Sequence, residues 1–234
     1  MPQNPTYPNA PLIEAVFEIR FPGEPAIECH RDLFFQHIRS EYINVWVPTL
    51  REGQAPALVP YQFKTDDGLN SVLTAINLLA FSTKKYQGFQ SFKNEALRLI
   101  GLFADTYEIR TLTRTGLRYI NAIRFLPQEQ RLPLSDYLNL GLRLPDVFPG
   151  EFKNLDLAFV SIVKGGSITT RLGHMEAKDG SGDAILLDFD FAKEGDLDVN
   201  EIPAYLDESH TSTKAFFESV LSEGYFKYVK GEAI

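Results

Sequence analysis

The chain has a single cysteine, Cys29, among 234 residues. One sulfur cannot close an intrachain disulfide and cannot build a thiolate metal site. The covalent framework of small secreted domains is therefore excluded, and a reducing compartment fits. No stretch approaches the ~20 consecutive apolar residues of a membrane-spanning helix. Met1 to Pro8 has neither a basic start nor an apolar run, so no secretory leader is read there. These features predict a cytoplasmic protein with no membrane partner. Catalytic signatures are missing as well. There is no Gly-x-Ser-x-Gly elbow, no Walker lysine pattern, no dinucleotide glycine fingerprint and no His-Glu-x-x-His helix. No catalytic residue, metal or cofactor is assigned on sequence grounds.

Positive charge is also scarce. Lys and Arg number 23 against 31 Asp and Glu, a net charge of −8. An acidic surface repels phosphate, which disfavours nucleic acid and anionic membranes as partners. The nearest approach to a basic patch is Lys84-Lys85 and the series Arg110, Arg114, Arg118 and Arg124.

Aromatic residues are plentiful: 18 Phe and 10 Tyr predict an aromatic-rich core. Residues 1–11 carry Pro2, Pro5, Pro8 and Pro11 and read as an extended arm. Residues 12–234 read as one α+β domain. Period-2 alternation marks strands at 12–21, 57–65, 70–77, 79–86, 108–125, 155–164, 167–176 and 184–191. Helical spacing marks 27–43, 92–106 with Ser91 as N-cap, 134–142 and 200–222. The last has an expected stripe of Ile202, Leu206, His210, Phe217 and Leu221. Residues 47–56 and the segment with Pro145, Pro149 and Gly150 read as loops. Gly165-Gly166 reads as a two-residue hairpin turn, and 178–182 as a looser one.

The run Glu18-Ile19-Arg20-Phe21-Pro22 returns loosely as Ala122-Ile123-Arg124-Phe125-Leu126-Pro127. A similar order of segments follows each copy. The expected architecture is an antiparallel sheet of two similar β-α-β-β-β-α halves, about 12–107 and 108–230, with helices packed on one face.

Three segments carry a family resemblance. They are Pro8 to Val16, the run Gly116-Leu117-Arg118-Tyr119-Ile120-Asn121, and a late helix with His210 six residues before Phe216. Together they resemble a sporadically distributed family of bacterial proteins of about this length and no assigned function. The resemblance implies a cytoplasmic bacterial protein with no catalytic residues to carry over, and it adds weight to Arg118 and Asn121.

The candidate ligand-binding set is Glu18, Arg20, Arg118, Asn121, Arg124, Asp188 and Asp190. Glu14, Glu18 and Arg20 fall on one face of the first strand, and Arg118 and Arg124 share a face of the mid-chain strand. Asp188 and Asp190 alternate with apolar residues. Arginine forks suit carboxylate or phosphate, so such a face would take a small anionic ligand or a protein partner. The competing reading is a solvated face of cross-strand ion pairs. Tyr61, Phe63, Tyr86, Phe89 and Phe92 form one aromatic group that could line a pocket, and Tyr225, Phe226 and Tyr228 form another. For His210 the expectation is a packed histidine. The leading functional expectation is a non-enzymatic binding or interaction protein, and a further one is a homo-oligomer with a structural role that uses strand edges. The alternative is an enzyme acting on an anionic small molecule through the Arg and Asp residues of the exposed sheet face.

Overall fold

The computed structural model describes residues 7–47, 60–125, 132–141, 145, 147, 153–176 and 182–232. The first part of the arm, the loop over 48–59, the loop residues Pro149 and Gly150, and most of the turn at 178–182 lie outside these.

Strand β1 (Leu12–Arg20) buries Ala15, Phe17 and Ile19 on one side and turns Glu14, Val16 and Glu18 to the other. Two short helices follow, α1 (Pro25–Cys29) and α2 (Arg31–Ile38), where the sequence predicts one helix over 27–43. His30 breaks it, with φ −135° and ψ 44° outside the helical region. Pro25 opens α1 at its first turn, and the Glu24 carboxylate accepts the Ala26 amide at 2.8 Å. A short strand that the sequence reading missed, β2 (Asn44–Trp46), comes next. Then follow β3 (Tyr61–Lys64), β4 (Asn70–Ala75), β5 (Leu78–Thr83) and helix α3 (Phe89–Thr106).

Helix α3 begins earlier than predicted. Its N-cap is Gly88 at φ 108°, a conformation open to glycine, and Ser91 sits inside the first turn. Its buried stripe of Phe92, Ala96, Leu99, Ile100 and Phe103 follows the helical period. Each large side chain so buried contributes roughly 1.5–3 kcal/mol before conformational entropy is charged against it.

Strand β6 (Thr111–Phe125) begins the second half of the chain. It is followed by α4 (Leu134–Tyr137), β7 (Asp156–Val163), β8 (Gly166–Met175), β9 (Asp183–Asp198), α5 (Ile202–Val220) and a further unpredicted helix, α6 (Glu223–Val229). The β7–β8 hairpin turns at Lys164-Gly165, not at the two glycines, and Val163 pairs with Gly166. Gly166 already belongs to the strand. A Cβ there would stand 2.2 Å from the Ala192 carbonyl oxygen, so the close strand approach requires glycine.

Among the described residues nine strands form one antiparallel sheet in the order β2-β3-β4-β5-β1-β6-β9-β8-β7. The first five strands of the chain make one side of it and the last four the other, meeting at the β1–β6 pair. Helix α3 packs on β5, α5 packs on β6 and β9, and α3 and α5 touch each other. The Tyr205 hydroxyl of α5 points between the carbonyls of Thr115 and Phe191, at 3.0 and 2.8 Å, and pins this helix to the central strands. Both outermost strands expose apolar side chains: Val45 and Trp46 on β2, Val160 and Ile162 on β7. Among the described residues no helix is long and apolar enough to cross a membrane.

Candidate functional site

Six of the seven residues singled out from the sequence lie on the sheet face opposite α3 and α5. Strand alternation puts them there, and the antiparallel register brings most of them into contact. Glu18 accepts from Arg20 at 2.8 Å and from Arg114 at 2.9 Å. Arg114 reaches across to both oxygens of Asp190, at 2.9 and 3.2 Å. Arg118 forks onto Asp188 at 2.8 and 2.7 Å, and Arg171 from β8 closes on the same carboxylate at 3.2 Å. Asp188 is only 1% exposed although it sits on an outer face, because the two arginines cover it. Desolvation raises the Asp190 carboxyl above its ordinary value, against the pull of Arg114 and Arg118.

These charges are consumed by one another. Three carboxylates are held by four arginines, so each fork that would grip a ligand already grips an aspartate or glutamate. Nor do all the candidates converge. Arg20 pairs opposite Arg114, ten residues along β6 from Arg124. At ~3.3 Å per residue that is about 33 Å, too far for one small ligand. Asn121 lies on the other face entirely, buried under the helices, where its side-chain amide donates to the Leu187 carbonyl at 3.1 Å. Among the described residues, no group of three or more His, Cys, Asp or Glu is placed to hold a metal ion.

A concave site lies on the helix side. A cavity of about 420 Å³ opens between the N-terminal end of α3, the outer part of α5, the floor strands β6 and β9, and the arm at Tyr7 and Pro8. Its apolar surface comes from Phe89, Phe189 and Phe217, and Asn121 also lines it. Its polar groups form a chain. The Tyr86 and Tyr119 hydroxyls lie 3.4 Å apart, and the Tyr119 hydroxyl is 2.9 Å from Nδ1 of His210. The His210 imidazole stacks flat on the Phe89 ring, 3.9 Å between centroids at an interplanar angle of 5°. Burial lowers the His210 pKa to about 4 and pushes Tyr119 well above the ordinary phenol value and Tyr86 to about 12. All three are therefore neutral at pH 7.

Thr213 completes the wall. It is 1% exposed, and its hydroxyl has no hydrogen-bond partner among the described residues. At the rim, Lys214 and Tyr7 both bond to Glu218. Of the first aromatic group, Tyr86 and Phe89 line this cavity. Phe63 and Phe92 pack in the core, and Tyr61 lies under the Arg31 guanidinium. Tyr225 and Tyr228 line a second, more open depression beside Arg124 and Tyr137. The α5 stripe is rotated from the predicted one. Tyr205, Ser209 and Thr213 are buried with Ile202 and Leu206, while His210 and Phe217 turn toward the cavity.

Compared with models of known protein families, the chain matches none, and no curated protein matches it.

Proposed function

We propose that this chain is a small-molecule-binding protein whose ligand occupies the cavity between α3, α5 and the β6–β9 floor. The observation that carries this is the buried, unpaired Thr213 hydroxyl on the wall of an aromatic-lined space. A buried hydroxyl without a partner costs about 1–3 kcal/mol, and a bound polar group would relieve that cost. Cavities of a few hundred Å³, mostly apolar with a few convergent polar groups, suit small organic molecules.

Binding accounts for the site better than catalysis does. General acid–base work favours groups titrating near the working pH. Here the imidazole titrates far below neutrality and the phenols far above it. On the opposite face, Asp188 is enclosed by two arginines, which leaves it poorly placed as a base or a metal ligand.

The duplicated architecture belongs to the same proposal. The strand order reads outward from the β1–β6 pair in matching steps, β5-β4-β3 on one side and β9-β8-β7 on the other. Ala15 pairs with Tyr119, and Arg20 and Arg124 each lie five residues further along their strands. A rough twofold through that pair would exchange them, as a duplication requires.

The test is a fluorescence titration with N-phenyl-1-naphthylamine, a neutral aromatic probe. Saturable binding at one site is expected, with loss in Ala10→Phe, which adds bulk at an exposed position on the cavity lining. Saturable binding that survives this substitution unchanged would overturn the reading. So would the absence of saturable binding by this probe and by its sulfonated analogue.

A further inference from the structure

The cavity is unusual in its charge. Carboxylates outnumber cations in the chain, 31 to 23, yet among the described residues none lines this space, whereas Lys84, Lys85 and Lys214 do. Lys214 is partly neutralised by Glu218, but Lys84 enters no ion pair among the described residues. The start of α3 adds to the same field. This 18-residue helix has no side-chain cap and no acidic residue in its first turn, and its N-cap Gly88 and first residue Phe89 both line the cavity. The first amides of a helix lack internal acceptors and carry the positive end of its dipole. Glycine at the cap lets a ligand approach the backbone closely. Thr213 on α5, buried and unpaired among the described residues, lines the same cavity and supplies a hydroxyl independently of the helix end.

Resting on the pocket reading above, we infer that the ligand is an organic anion with a flat apolar body. Its acidic group sits at the α3 N-terminus near Lys84 and Lys85, and its body lies against Phe89, Phe189 and Phe217. Neutral His210 fits this assignment. An imidazole stacked face to face on a phenyl ring gives a flat wall, and its Nδ1 is satisfied by Tyr119. The same positive rim would repel cationic ligands of equal size.

The experiment compares two probes that differ by one charged group: N-phenyl-1-naphthylamine and 8-anilinonaphthalene-1-sulfonate. Both are titrated into the wild-type protein at low salt. The sulfonate is expected to bind roughly tenfold more tightly, a preference of about 1.4 kcal/mol. Raising the salt should shrink this preference, because Lys84 and Lys85 are solvent-exposed. In Lys84→Met/Lys85→Met the preference should fall to within about twofold. The matched control Lys164→Met, remote in the β7–β8 turn, should keep it. Equal affinity for the two probes in the wild type would overturn the anion assignment and leave the pocket standing. So would a preference that survives the double substitution. Failure of both probes to saturate would remove the pocket and the anion assignment together.

Discussion

The Tyr119 hydroxyl lies 2.9 Å from Nδ1 of His210, and this pair fixes the chemical character of the cavity. Tyr119 comes from the central strand β6 and His210 from α5, so the contact also ties helix to sheet. The neutral imidazole has one N–H and one bare ring nitrogen, so its tautomer decides which partner of this bond donates. Protonation would bury a cation beside Phe89.

A pH dependence of stability follows from the low His210 pKa. The unfolded chain protonates its histidine near 6.5, the folded one only near about 4. Between these values the unfolded state holds more protons, so stability rises with pH across this window. The contribution is fully present above pH 6.5 and is lost as pH falls toward 4. Its ceiling is about 3 kcal/mol, reduced by partial solvent access. Urea denaturation across that range should show the slope in the wild type and a flatter profile in His210→Phe.

Asp188 is the most enclosed charge of the ionic face, and its removal leaves two arginines facing each other. Asp188→Asn should lower stability by about 2–3 kcal/mol. That is below the full cost of an orphaned buried charge, because Arg118 and Arg171 keep 41% and 46% of their side chains in solvent. Arg171→Ala should cost less than about 1 kcal/mol, since Arg118 still holds the carboxylate with two bonds. Chemical denaturation of the two variants gives the comparison.

Two glycines of β8 should respond in opposite ways. In Gly166→Ala the new Cβ would meet the Ala192 backbone carbonyl, which cannot swing aside as a side-chain tip can; a loss of at least about 2–3 kcal/mol is expected. In Gly173→Ala nothing lies within 4 Å, and stability should hold or rise by roughly 0.5 kcal/mol through a less flexible unfolded chain. Thermal unfolding of both variants under one set of conditions checks this.

Thr213→Val separates folding from binding. The replacement keeps the shape and removes a buried hydroxyl that has no partner among the described residues. The unliganded variant should be more stable by about 1 kcal/mol. Its affinity for 8-anilinonaphthalene-1-sulfonate should fall severalfold. Calorimetry and titration on the same sample measure the two changes.

Much of the sheet was readable because its strands bury one face. The alternation in β1, β6 and β9 gives the correct side for Glu18, Arg118, Asp188 and Asp190 without reference to the fold. Partners were not readable, since register across β1–β6–β9–β8 decides that Asp188 meets Arg118 and Arg171. Arg171 itself lay outside the candidate set. The break at His30 was hidden because apolar spacing continues through it to Phe34 and Ile38. The cavity was hidden for a different reason. Its walls come from the arm, the end of β5, the start of α3, β6, β9 and α5, and no local pattern joins them. The signals present were Tyr86 and Phe89 in one aromatic group and His210 on an otherwise apolar stripe. Thr213 and Ser209 escaped notice because small polar residues in a helix read as its solvent side.

The most direct test of the ligand site is where a bound probe rests. With N-phenyl-1-naphthylamine bound to isotope-labelled protein, intermolecular nuclear Overhauser effects should connect the probe to ring protons of Phe89, Tyr86 and Phe217. Contacts instead to Val160 and Ile162 on the exposed β7 edge, with none to those rings, would contradict the account.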